Sequence, residues 1–318
     1  MKRTALALLA TFSLAAHAGP VSFGLFGDFP YSAWERVHLP RMIEEMDGEN
    51  LAFVVHDGDI KDGGSVCSDE VFRDILGVFQ ASRHPLVYVL GDNEWTDCHR
   101  SSNGSYDPVE RLDKLRGMFL ADDNALGKTA MRLERQSEDA TFAAYRENVR
   151  WLVGDLSGGV LFVGMNVPGS NNNYFGTTKD RGPSAEYLAR GKANRAWLAS
   201  SFALAREKKL PGIVVVIQAN PYLESSKQRE DKPNGYAEFV EQLRTETLAF
   251  PGQVVLVHGD THYHRIDQPL RNPKSGATIG NFTRVETYGS PTMGWVKGTV
   301  DPADPKLFRF EARPYRSD

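Results

Sequence analysis

The sequence predicts an α/β fold built around a largely parallel sheet, and three observations carry that expectation. Short, nearly unbroken apolar runs rich in β-branched residues recur along the chain. The segments between them repeat apolar residues at helical spacing. Each run is followed by a carboxylate, an amide or an imidazole. A strand covered on both faces needs continuous hydrophobicity over few residues, and strands alternating with helices favour parallel pairing.

The runs are VSFGLF (21–26), LAFVVH (51–56), PLVYVL (85–90), VLFVGM (160–165), GIVVVI (212–217) and QVVLVH (253–258). After the second run, Phe72, Ile75, Leu76 and Phe79 fall at i, i+3, i+4 and i+7, the spacing of one helix face. The polar stretch 99–148, with one helix expected over 108–119, reads as an excursion from the sheet inside a single domain of residues 19–318. GKT at 127–129 lacks the earlier glycine of a phosphate-cradling loop and is set aside. The longest helix is predicted over 184–208, with Ser184 just after Pro183 as its N-cap. Tyr236, Phe239, Val240 and Leu243 mark another helix face. Beyond residue 263, GWVKGTV (294–300) and the period-two LFRFEAR (307–313) predict antiparallel strands.

The chain opens with Lys2 and Arg3, an apolar stretch from Ala5 to Ala15, and Ala16-His17-Ala18. Those are the parts of a signal peptide over residues 1–18, with cleavage after Ala18 and export to the periplasm or the medium. No later run has the length of a membrane span, so no stable membrane anchor is expected. With 37 basic and 41 acidic residues the net charge is −4, which leaves no electrostatic footprint for nucleic acid. The two cysteines, Cys67 and Cys98, are expected to pair in an exported chain.

The strand ends carry the chemistry. They read GDFPY with Asp28, HDGDIKDGG with Asp57, Asp59 and Asp62, GDNEW with Asp92, Asn93 and Glu94, MNVPGSNNN, QANPY, and HGDTHYH. In an open α/β sheet the loops beyond the carboxyl ends of the strands converge on one crevice. Any single Gly-Asp pair is an ordinary turn or cap. Several carboxylates in one crevice repel, and a bound cation is the usual remedy.

In order and in strand context, these motifs resemble the calcineurin-like metallophosphoesterases, over most of the chain from Gly27 to His262. The resemblance implies a sandwich of β-sheets flanked by helices, two metal ions at the carboxyl ends of the strands, and hydrolysis of a phosphate mono- or diester in a phosphorylated small molecule. The family's strings are D-x-H, G-D-x-x-D/G, G-N-H-D/E, a histidine shortly before a proline, and G-H-x-H. Asp28 matches the aspartate of the first, but Pro30 stands at its histidine. Asp59 matches the carboxylate shared by both ions. Asp92 falls at the metal-binding asparagine, and Asn93 at the catalytic histidine. Gln218 or Asn220 replaces a histidine ligand, and Asp260 replaces another, while His262 is kept.

The implied ligands are therefore Asp28, Asp59, Asp92 or Asn93, Gln218 or Asn220, Asp260 and His262, a set richer in oxygen than the family's. Hard oxygen donors suit Mn²⁺, Mg²⁺ or Ca²⁺ better than Zn²⁺. His99 is a candidate substitute acid, and Lys61, Arg100 and Arg181 are candidate phosphate clamps. His258, at a strand end, reads as packed behind the site; His264 also flanks it. Asn171, Asn172 and Asn173 read as a turn tolerant of positive φ. A Cys67–Cys98 bond would tie the loop of Asp59 to that of Asp92. Two rival readings are a binding protein for a phosphorylated ligand or cation on the same fold, and a structural domain whose strand ends are only turns.

Overall fold

In the computed structural model the residues described are 19–154, 159–178, 181–224 and 233–317. The expected signal peptide lies outside them. The elements run β1 (Val21–Phe26), α1 (Ala33–Gly48), β2 (Val54–His56), α2 (Asp69–Ala81), β3 (Leu86–Tyr88), α3 (Pro108–Phe119) and β4 (Glu134–Arg135). They continue with β5 (Val149–Val153), β6 (Val160–Gly164), α4 (Ala185–Glu207), β7 (Gly212–Val216), α5 (Ala237–Ala249) and β8 (Gln253–His258). The chain closes with β9 (Arg265–Asp267), β10 (Phe282–Glu286), β11 (Gly294–Val300) and β12 (Phe308–Pro314).

Two sheets form, not one. The first has the order β12-β11-β1-β2-β3, and the second β4-β5-β6-β7-β8-β10-β9. The pairs β1–β2, β2–β3, β6–β7, β7–β8 and β8–β10 are parallel; antiparallel strands close three of the edges, and β3 forms the fourth. Period-two alternation explains the layering. Leu25, Val55 and Val87 point from the first sheet into an inter-sheet core with Phe162, Val214, Val216 and Val255 of the second. Their neighbours Phe26, Val54, Leu86 and Tyr88 face the other way, onto α1, α2 and α3. Leu161, Val163, Ile213 and Val215 do the same for the second sheet, beneath α4 and α5. Each central strand is therefore buried on both faces, as its unbroken apolar run requires.

Aromatic rings lock the two sheets together. Phe162 meets Phe23 and Phe53 edge-on, each at 5.0 Å between ring centroids, and Trp151 lies against it at 5.3 Å. Helix starts follow local chemistry: Ser184 caps α4 by accepting from the Tyr187 N–H, and Asp107 caps α3 with Pro108 in its first turn. Strands β5 and β10 were not anticipated. VRWLV and FTRVE carry arginines that break the apolar run, and Arg284 in β10 is fully buried because Asp267 and Glu224 pair with it. The excursion after residue 99 contributes α3 to the outer layer and the short β4 to an edge.

Phe162→Ala should cost about 3–5 kcal/mol of folding stability, because it removes the ring that bridges the sheets and leaves a cavity. Urea unfolding of the variant checks this; a loss under 1 kcal/mol would mean that the sheets close over the gap.

Candidate active site

The carboxyl ends of the parallel strands of both sheets meet, and their loops bond to one another across the gap. Asp28 follows β1 and is fully buried. Its Oδ2 accepts the Asp260 N–H at 2.9 Å, whereas Oδ1 has no hydrogen-bond partner among the described residues. His262 Nε2 lies 3.8 Å from that unpartnered oxygen. On the far side of the ring, Nδ1 is 2.7 Å from the Ser290 carbonyl. A carbonyl only accepts, so in the neutral ring Nδ1 carries the proton and the Nε2 lone pair is left facing the Asp28 side. An unpartnered buried oxygen and an oriented imidazole lone pair fit a cation between them.

Asp59 is arranged differently. Its Oδ1 accepts the Asn93 N–H at 3.1 Å. Its Oδ2 accepts from three donors: Tyr31 Oη at 2.8 Å, Asn93 Nδ2 at 2.9 Å and Gln218 Nε2 at 3.2 Å. Gln218 Oε1 accepts the Gly169 N–H at 2.5 Å, which fixes which end of that amide faces Asp59. Asp92 Oδ2 accepts from the Ser170 hydroxyl at 2.8 Å, and Asp260 Oδ2 from the Asn220 N–H at 3.0 Å. With oxygens turned onto such donors, no three His, Cys, Asp or Glu side chains among the described residues are spaced as a ready-made cation cage.

Burial pushes the carboxyl groups of Asp28, Asp59 and Asp92 well above the usual carboxylate range, and neighbouring charges push them further: Asp57, Asp260 and Asp92 act on Asp28, Asp92, Glu94 and Asp28 on Asp59, and Asp260, Asp97 and Glu94 on Asp92. Asp260 is raised too, by burial first. Beneath them Asp57, held by the Thr287 hydroxyl, is raised by burial and adds to the repulsion on Asp28. Burial keeps His56 and His258 neutral, each pushed down to about 3, with Arg284 and Arg265 adding to the shift at His258.

The backbone is bent to bring these groups together. Among the described residues twelve non-glycine positions have positive φ, and nine lie in these loops: Asp28, Asp59, Ser170, Asn171, Asn172, Asn173, Tyr222, Asp260 and His262. Such conformations persist only where the surroundings over-determine them. Residues 170–173 make a left-handed turn, and the asparagines hold it by side-chain bonds. Asn172 Oδ1 accepts from buried Arg190, which Glu186 also grips. A Cβ at Gly259 would sit 1.9 Å from Asp28 Oδ2, and one at Gly91 2.1 Å from Asp59 Oδ1, so only glycine permits these approaches.

The expected disulfide is present, Cys67 to Cys98 with Cα atoms 5.8 Å apart. It lies beneath the Asn93 carbonyl, which also accepts from Lys61 Nζ at 2.7 Å. Lys61 is thus not on the surface as a phosphate clamp. It is buried, its Nζ spent on the Asn93 and Asp62 carbonyls, and burial holds its pKa below the usual lysine range. Glu94 also turns inward, accepting from Tyr88 and from the Gly91 and Asp59 N–H groups, so it braces the turn.

Of the residues singled out by sequence, Asp28, Asp59, Asp92, Asn93, Gln218, Asp260 and His262 come together. Asn220 contributes its N–H to Asp260, while its side chain caps its own turn at the Tyr222 N–H. His99 is exposed, its Nδ1 held at 2.8 Å to the Thr96 carbonyl. Arg100 sits near the Ser170 hydroxyl at 3.4 Å and is paired with Asp97 at 2.7 Å; Arg181 is exposed. His258 is fully buried, and His264 stacks on Tyr288. Sequence reading passed over Tyr31 and Ser170, although both stand inside the quoted strings GDFPY and GSNNN.

No protein-family model matches the chain, and no curated protein matches its sequence. Solved structures do match in shape. A dimetal phosphatase from Danio rerio superposes with a TM-score of 0.56 at 11% identity, covering 92% of this chain and 96% of that one. PhoD gives 0.54 at 13% identity, over 93% of this chain and 69% of that one. A purple acid phosphatase from yellow lupin (Lupinus luteus) seeds gives 0.51 at 13% identity, over 94% of this chain and 52% of that one. The fold is that of the calcineurin-like metallophosphoesterases.

Two tests follow from the site. Replacing both cysteines by serine should lower the unfolding free energy by about 3–4 kcal/mol, because the bond closes a loop with a sequence separation of 31; urea melts measure this, and unchanged stability would refute it. The second concerns pH in the presence of chelator. Carboxyl groups raised by folding stabilise the protein below their unfolded pKa, and that contribution is lost as pH rises through their folded values. His56 and His258, lowered by folding, work in the opposite sense, but from about pH 7.5, a unit above their unfolded pKa, they are almost entirely neutral in both states. The melting temperature of the chelated protein should therefore fall as pH rises beyond about 7.5. A flat profile would mean that the carboxylates ionise without penalty.

Proposed function

We propose that this crevice hydrolyses a phosphate mono- or diester of a small molecule, using divalent cations held by Asp28, Asp59, Asp92, Asp260 and His262. One observation carries the reading: the unpartnered buried Asp28 Oδ1 faces the His262 Nε2 lone pair at 3.8 Å, amid carboxylates that raise one another's pKa. Two such ions would supply Lewis acidity and a nucleophile generated from water. The donor set is dominated by oxygen, so Mn²⁺, Mg²⁺ or Ca²⁺ is favoured over Zn²⁺.

The chain's own groups account for the remaining work. Tyr31 links the two sides, its hydroxyl donating to Asp59 Oδ2 and its ring 5.0 Å from that of His262, so Asp59 would serve as the carboxylate shared by both ions. Asn93 Nδ2 and the Tyr31 hydroxyl both donate to Asp59 Oδ2, and would become donors for a phosphoryl oxygen once a cation took over that carboxylate oxygen. Arg100, oriented by its pair with Asp97, adds positive charge at the rim. Asn93 cannot deliver a proton as an imidazolium does, so protonation of the leaving group falls to His99, whose Nε2 edge is free of hydrogen bonds among the described residues.

The test is turnover of an aryl phosphate monoester and diester by metal-stripped protein lacking residues 1–18. Mn²⁺, Mg²⁺, Ca²⁺ and Zn²⁺ are added back one at a time. Activity should return with a hard cation and fall at least a hundredfold in Asp59→Asn. Absence of turnover with every ion, in a protein shown to be folded, would remove the hydrolase reading and favour binding of a phosphorylated ligand.

A further inference from the structure

The two sides of the crevice are not equivalent. On one side, Asp28 Oδ1 is buried without a partner and His262 Nε2 faces it, with nothing to displace. On the other side, Asp59 Oδ2 is saturated by Tyr31, Asn93 and Gln218. The Gln218 amide cannot be read the other way round. Reversed, its nitrogen would meet the Gly169 N–H and its oxygen would meet the Asp59 carboxylate, so both contacts would become repulsive. The position of Asp59 Oδ2 is thus neutralised by amide and phenol hydrogens.

We infer that the crevice takes up hard divalent cations in a fixed order, because Gln218 latches the second position shut. This rests on the reading that the crevice binds such ions. The first ion enters between Asp28 and His262 without rearrangement. The second needs an oxygen from Gln218, which requires the carboxamide to turn over and release the Gly169 N–H. Giving up a buried hydrogen bond weakens binding, so the second event is at least tenfold weaker than the first. Gly169 leads into the left-handed turn whose Ser170 hydroxyl contacts both Asp92 (2.8 Å) and Asp97 (2.7 Å). Uptake of the second ion is therefore coupled to the 169–173 turn, and through Ser170 to Asp92. Gln218 is a positioning residue: it sets when the second ion binds, and it does so from a place where a histidine would bind at once.

Calorimetric titration of Mn²⁺ into metal-stripped protein reads this directly. The wild type should show two events separated by at least tenfold. In Gln218→Glu one oxygen still accepts the Gly169 N–H, while the other replaces a donor by a ligand. The weak event should then tighten at least tenfold, with the strong event changed less than threefold. Hydrogen exchange of the peptide containing Gly169 supplies a check that needs no variant: it should stay slow through the first equivalent and quicken with the second. Two equivalents bound with one affinity, or a weak event unaltered by Gln218→Glu, or exchange that quickens with the first equivalent, would overturn the latch and leave the hydrolase reading standing. No cation bound at any concentration would overturn both.

Discussion

The repulsion among Asp28, Asp57, Asp59, Asp92 and Asp260 is the constraint on which this structure depends. Five carboxyl groups withdrawn from water would each favour the neutral form, and each charge raises its neighbours further. A fold that gathers them must compensate within the same few ångströms. Backbone N–H groups do part of this, from Asp260 to Asp28, from Asn93 to Asp59 and from Asn220 to Asp260. Hydroxyl and amide hydrogens do more, from Tyr31, Ser170, Asn93 and Gln218. At Asp28 Oδ1 and Asp57 Oδ1 compensation stops, and at the first of these the oriented imidazole of His262 faces the gap.

That constraint explains why most of the irregular backbone collects here. An N–H can reach a carboxylate on the next loop only if the chain turns sharply, and the turns at Asp28, Asp59, Asp260 and His262 all use the left-handed region. Glycine at 91 and 259 removes the Cβ that would push a carboxylate away. Such turns need support from behind. The Cys67–Cys98 bond ties the two loops beneath the Asn93 carbonyl, Lys61 donates to that carbonyl, Glu94 ties the Gly91 turn to Tyr88, and Arg190 grips the 170–173 turn from α4. The inter-sheet aromatic cluster is the rigid base beneath them, since it sets where the strands end.

Much of this was legible in the sequence, for physical reasons. The central strands are covered on both faces, so they had to be apolar throughout, and all six central runs formed strands. Ser184 announced the start of α4 because a hydroxyl there satisfies an otherwise free N–H. The cysteines and the strand-end acids were visible because their chemistry needs those residue types. Strands β5 and β10 were hidden because arginine is admissible inside a strand when a carboxylate meets it, and pairing across 17 residues, as for Arg284 and Asp267, leaves no local trace. Lys61 was misplaced for a similar reason: a lysine between two acidic residues reads as surface until backbone carbonyls are found around its Nζ. Tyr31 and Ser170 were overlooked because a hydroxyl becomes informative only when its partner is known.

The sequence also could not disclose which end of an amide faces a carboxylate. An imidazole fixed by one hydrogen bond offers a cation its remaining nitrogen, as His262 does. A carboxamide offers an oxygen or two hydrogens, and its surroundings choose. At Gln218 the Gly169 N–H claims the oxygen, so the hydrogens go to Asp59 and the crevice is quietened without an ion. A glutamine at such a position therefore differs from a histidine by more than oxygen for nitrogen. To serve as a ligand it would first have to let go of the backbone, and under the proposed latch occupancy of the second position would depend on the turn that carries Ser170.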